Sequence, residues 1–149
     1  MARVLRIDHV AVAVKDIDAG IASYQKILGA ELIERADLSM HDSRMTAAYL
    51  KVGDGLIVLD GAADPSGLIA KFIERRGEGL HHIAVMRPTP AESDAAERHF
   101  ADLGAKILME GRIGETIRFY YLDTEPLLKV IFESGTGHAV DLKPARVYP

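Results

Sequence analysis

The feature that most constrains this chain is that its order of elements repeats. Asp8-His9-Val10-Ala11-Val12 returns as His81-His82-Ile83-Ala84-Val85, so the pattern x-His-[Val/Ile]-Ala-Val recurs with His82 following His9 by 73 residues. Self-similarity at a fixed spacing points to two copies of one supersecondary unit. Each motif is followed by a segment with helix start and stop signals. "KDIDAGIASYQKILGA" offers Asp16 or Asp18 as N-cap and stops at Gly29, while "TPAESDAAERHFADLGA" has Pro90 near its start and stops at Gly104. The two Leu-Gly-Ala triplets lie 75 residues apart, and each leads into an extended segment, "ELIERADL" and "KILMEG". Two β-like runs then close each half, "MTAAYLKV" and "GLIVLDG" in the first, "TIRFYYLD" and "LLKVIFE" in the second. Both halves therefore read β-α-β-β-β, with "PSGLIAKFIERRGEG" as a connecting helix ending at Gly77.

This order predicts an α+β fold of two tandem βαβββ modules forming a curved mixed sheet around a central trough. At 149 residues the chain has room for one domain with a real core. Its expected layout is module one at about 4–62, the helix at about 66–76, module two at about 80–135 and a loop-rich tail over 136–149. The composition, 48% hydrophobic and 27% charged, argues against disorder. A net charge of −4 without a basic cluster argues against nucleic-acid binding. Cysteine is absent, which excludes disulfides, thiolate ligands and a Cys nucleophile, so any transition metal must be held by His and carboxylates. No apolar run approaches the ~18 residues of a membrane span, and Asp8 and His9 interrupt the N-terminal one. These features predict a soluble, cytoplasmic protein.

Side chains alternate along a strand, so the doubled histidine cannot act as one two-ligand motif. His9 shares a face with Ile7, Ala11 and Ala13, and His82 shares one with Ala84 and Met86. The repeat equates His9 with His82, and small alanines beside both leave room for a ligand. Imidazole is a common ligand for divalent metals, which makes these two histidines candidate metal ligands. His81 takes the place of Asp8 and points the other way. Glu133 ends a strongly apolar strand, where a carboxylate is costly unless paired or metal-bound. Its counterpart in the first half depends on the offset: 75 gives Val58, 73 gives Asp60, and both lie on one strand face.

These residues resemble the vicinal oxygen chelate (glyoxalase/bleomycin resistance/dioxygenase) superfamily. Within it, "IDHVAVAVKDIDAGIASYQKILGAEL" and "IAKFIERRGEGLHHIAV" look like the methylmalonyl-CoA epimerases, over about Arg6 to Gly135. The resemblance implies a divalent metal (Co, Zn, Ni, Mn or Fe) held by His, a Gln or Glu, His, and Glu. His9, His82 and Glu133 fill three of these places; the family's Gln or Glu falls in "GLIVLDG", at Val58 or Ile57, a departure from the pattern. The family's catalytic Glu maps to "MHDSRMTAAYL", where Asp42 is nearest and His41 and Arg44 flank it. The implied activity is epimerisation by α-proton abstraction with a metal-stabilised enolate, with Glu133 and Asp42 as its carboxylates, on a small-molecule substrate of the acyl-CoA type and in a homodimer.

Two alternatives stay open. Two His and one carboxylate also resemble the facial triad of Fe(II) enzymes, which points to a dioxygenase or another lyase of the superfamily. A metal-free protein that binds small molecules in the same trough is the third. Weaker signals are Tyr120 and Tyr121, which alternate faces so that one lines the pocket. Lys71, Arg75 and Arg76 form a basic helix face, His99 is a surface helix residue, and His138 in the tail has no evident role.

Overall fold

A computed structural model of the chain describes residues 4, 6–40, 43–113 and 117–136. Its elements run β1 (Arg6–Val14), α1 (Ile17–Leu28), β2 (Glu31–Met40), β3 (Ser43–Val52) and β4 (Gly55–Ala62). They continue with α2 (Leu68–Arg76), β5 (Gly79–Arg87), α3 (Pro90–Asp102), β6 (Ile107–Ile113), β7 (Ile117–Leu122), α4 (Glu125–Leu128) and β8 (Ile131–Thr136). This is the α+β, tandem βαβββ order that the repeat predicts. Among the described residues no helix is long and apolar enough to cross a membrane.

The chain divides into two compact units, with the boundaries at His9 and His82. Within the first, β1 pairs parallel with β4, β4 antiparallel with β3, and β3 antiparallel with β2. Parallel neighbours cannot be joined by a tight turn, so α1, β2 and β3 form the connection and α1 covers one face. Asp16 caps α1, its carboxylate accepting from the Ala19 N–H at 2.9 Å. Gly29 ends it in the left-handed region (φ 63°), the conformation that a residue without Cβ adopts freely. Val14, Ile17, Ile21, Ala48, Leu50 and Leu59 bury an apolar core between α1 and the sheet.

The second unit repeats this plan. β5 pairs parallel with β8, β8 antiparallel with β7, and β7 antiparallel with β6. Thr89 caps α3 by accepting from the Glu92 N–H, with Pro90 in the first turn. The repeat extends to irregularities: the β2–β3 register slips between Leu32 and Glu34, and the β6–β7 register slips between Ile107 and Met109, 75 residues on. Such bulges add local twist and bend the strand, so both modules bend at the same place.

The layer beneath α3 differs in chemistry from the one beneath α1. Arg87, Tyr120 and Ser134 stand at the register positions that Val14, Ala48 and Leu59 hold in the first unit. The buried Arg87 donates through Nε to Ser134 Oγ at 3.2 Å, and the Tyr120 hydroxyl donates to the Ser93 carbonyl at 2.8 Å. Burial pushes the Arg87 guanidinium below its ordinary pKa, against the opposing influence of Tyr120 and Glu92.

One element departs from the sequence expectation. "LLKVIFE" was expected to be extended throughout, but Leu127 and Leu128 belong to the short helix α4 and are exposed. Pro126 in its first turn suits a helix start, and Lys129 leaves it in the left-handed region (φ 65°) before β8 begins at Ile131.

Gly135 marks the tightest strand contact. A Cβ there would lie 2.5 Å from the Arg118 carbonyl oxygen and 3.1 Å from Phe119 Cα, both backbone atoms. Gly135→Ala must therefore push β8 and β7 apart, and urea unfolding should register a loss of about 1–3 kcal/mol, the usual cost of overpacking. An unchanged midpoint would show that the two strands can separate freely.

Candidate metal centre

The geometry begins with the alternation along β5. His81 and His82 point to opposite faces, and each meets a different element. The His81 ring packs edge-on against Phe72 of α2, with centroids 4.7 Å apart and planes at 88°. His82 turns toward β7 and β8, where its Nε2 lies 2.8 Å from Glu133 Oε2. The parallel register sets Glu133 opposite Ala84, two residues along the same face from His82. The glutamate side chain reaches back across that offset. Tyr121, the register partner of Glu133 on β7, lays its ring at 41° to His82 with centroids 4.6 Å apart. The pair is largely withdrawn from water, at 1% side-chain exposure for His82 and 12% for Glu133. A carboxylate so placed is stable only with a compensating partner, which the imidazole supplies.

The same bookkeeping of register in the first unit resolves which residue matches Glu133. Ala11 pairs with Val58, as Ala84 pairs with Glu133, and Tyr49 pairs with Val58, as Tyr121 pairs with Glu133. Val58 is therefore the structural counterpart of Glu133, and Asp60 is the counterpart of Gly135. Ile57 lies on the other face and packs against the α1 core. His9 is buried on β1, two residues before Ala11, as His82 precedes Ala84. Asp60 is buried as well, and one of its oxygens lies within 4.8 Å of a His81 ring nitrogen.

Asp42, His41 and His138 fall outside the described residues; Arg44 is exposed on β3. Lys71, Arg75 and Arg76 are exposed on α2, where Arg75 sits 5.9 Å from the Phe72 ring centre. Of the two neighbouring tyrosines, Tyr120 serves the α3 layer and Tyr121 stacks on His82. The sequence reading left that choice open. The 72-residue spacing from Tyr49 to Tyr121, beside Val58 and Glu133 respectively, was the signal that points to it.

The donor set fits a divalent cation. Nitrogen and carboxylate-oxygen ligands bind such ions at roughly 2.0–2.2 Å, so two ligands at a right angle stand roughly 3 Å apart. The His82–Glu133 separation of 2.8 Å has that span. Imidazole with carboxylate suits zinc and the neighbouring first-row metals.

Comparison with known proteins agrees with this architecture. The family model described as "Glyoxalase/Bleomycin resistance protein/Dioxygenase superfamily" matches residues 6–141. The chain is 31% identical over 107 residues to the ethylmalonyl-CoA/methylmalonyl-CoA epimerase of Cereibacter sphaeroides, covering 71% of this chain and 76% of that protein. It is 31% identical over 81 residues to human mitochondrial methylmalonyl-CoA epimerase, covering 54% of this chain and 45% of the human protein. The chain thus spans about half the length of several curated relatives it matches. Among solved structures, a variant of the Streptomyces coelicolor methylmalonyl-CoA epimerase in complex with 2-nitronate-propionyl-CoA is similar with a TM-score of 0.75. It is 26% identical, and the match covers 95% of this chain and all of that one. With the repeat, the registers and a family model that spans nearly its whole length, this chain belongs to the glyoxalase/bleomycin resistance protein/dioxygenase superfamily.

Proposed function

We propose that this protein is a metal-dependent isomerase of the methylmalonyl-CoA epimerase type, in which His9, His82 and Glu133 hold one divalent cation. The observation that carries the reading is the buried His82–Glu133 pair at 2.8 Å, joined by a histidine at the repeat-matched place on β1. Relatives named as epimerases and the Streptomyces complex with an acyl-CoA analogue support a thioester substrate. The family resemblance supports a homodimer, and the cysteine-free composition agrees with a cytoplasmic setting.

In this reading the bound cation supplies positive charge to the oxygens of the substrate and so stabilises the enolate. His82 and His9 contribute neutral nitrogen donors, and Glu133 contributes the negative charge that holds the cation in a buried place. Tyr121, stacked on His82, fixes the ring plane and so the direction of its Nε2. The fully buried Ala11 and Ala13 leave the strand surface beside His9 low enough for a substrate. Asp42 is the proposed base that removes the α-proton. A carboxylate is a competent base for a carbon acid whose conjugate anion is stabilised in this way.

Protein purified without chelator should carry one divalent metal per chain by elemental analysis, and His82→Ala should lose it. Metal-free protein that gains no thermal stability from added metal would end the isomerase reading and leave the metal-free binding protein. Bound iron with oxygen uptake on a catechol would favour the Fe(II) dioxygenase instead.

With methylmalonyl-CoA in D2O, deuterium should enter the α-position. Asp42→Ala should slow that exchange by about 100-fold or more while leaving metal content unchanged. Exchange at the wild-type rate would remove Asp42 from the mechanism.

A further inference from the structure

The two modules offer the same strand positions but not the same ligands. On the second, Glu133 lies across from Ala84 and Tyr121; on the first, Val58 lies across from Ala11 and Tyr49. Val58 is buried and carries no donor atom. Its immediate neighbour on β1 is an alanine, so the place is not filled by a bulky side chain from that strand. The nearest carboxylate on β4, Asp60, stands one strand repeat further on, at the position matched by Gly135.

We propose that Val58 occupies the position of a second carboxylate, so that the metal centre of this protein has three protein ligands and is asymmetric between its two modules. This inference rests on the metal-dependent reading given above. Two neutral imidazoles and one carboxylate leave a divalent cation with a net charge of +1, where a second carboxylate would cancel it. A three-ligand centre also leaves one more coordination position open, on the side of β4. Both effects favour a substrate that brings anionic oxygens and chelates through two of them. A single neutral carbonyl would leave the residual charge unmatched. Val58 thereby sets substrate class through what it withholds from the metal.

The register makes a sharp test available, because the carboxylate can be moved from one module to the other. Co(II) binding is measured by calorimetry and by the visible absorption of the bound ion, with folding followed by circular dichroism. Glu133→Val should weaken cobalt binding by roughly a hundredfold, and adding Val58→Glu to that variant should recover most of the loss. On the otherwise native chain, Val58→Gln should tighten binding by about tenfold or more and shift the cobalt spectrum toward a higher coordination number.

A folded double variant that binds cobalt no better than Glu133→Val alone would overturn the proposal. If the double variant does not fold, Val58→Gln decides: a folded protein with native affinity and an unchanged spectrum overturns it equally. Failure of the underlying reading looks different, since the native protein would then bind no cobalt at all.

Discussion

The parallel pairing of first and last strand within each module is the constraint from which the rest follows. A parallel pair needs a long crossover, and here the helix and two strands between them supply it. The crossover helix then covers one sheet face, and the small or polar residues of the first strand are left on the other. In the second unit this pairing sets Glu133 beside Ala84, within reach of His82. Neither residue would be stable alone at that depth. Together they form a charge-assisted contact, and the stacked Tyr121 ring restricts its geometry.

The modules share a backbone plan yet divide the chemistry unequally. Beneath α1 the sheet is packed by aliphatic side chains, whereas beneath α3 an arginine, a tyrosine and serines are satisfied by one another. On the opposite faces the asymmetry recurs, with Val58 in one unit where Glu133 stands in the other. Strand geometry tolerates either residue, because the pleat dictates where a side chain points and not its polarity. A repeated scaffold can therefore carry a site in which each half plays a different part.

Much of this was legible before any coordinates. Asp16 and Thr89 are residues whose short polar side chains cap helices, and Gly29 and Gly104 follow them at the helix ends with positive φ. The opposed orientations of His81 and His82 follow from alternation alone, and Phe72 and Glu133 are the separate partners that result. Less legible were segments where local and tertiary preferences compete. The apolar run through Leu127 and Leu128 has a strand's composition, yet Pro126 suits a helical turn and the chain takes one there. The tyrosine pair posed the same difficulty, since alternation separates the two rings without saying which face belongs to the site.

The sequence by itself determined the tandem βαβββ order, the equivalence of His9 with His82, and the scarcity of donors that leaves imidazole and carboxylate as the only metal-binding chemistry. It could not decide between Val58 and Asp60 as the partner position of Glu133. Two residues apart on one strand, they share a face, and a period of two distinguishes faces and not places along them. That choice belongs to the hydrogen-bond ladders of β1 with β4 and β5 with β8, which join segments far apart in the chain. Only in the folded sheet does the ladder place Val58 opposite Ala11 as it places Glu133 opposite Ala84.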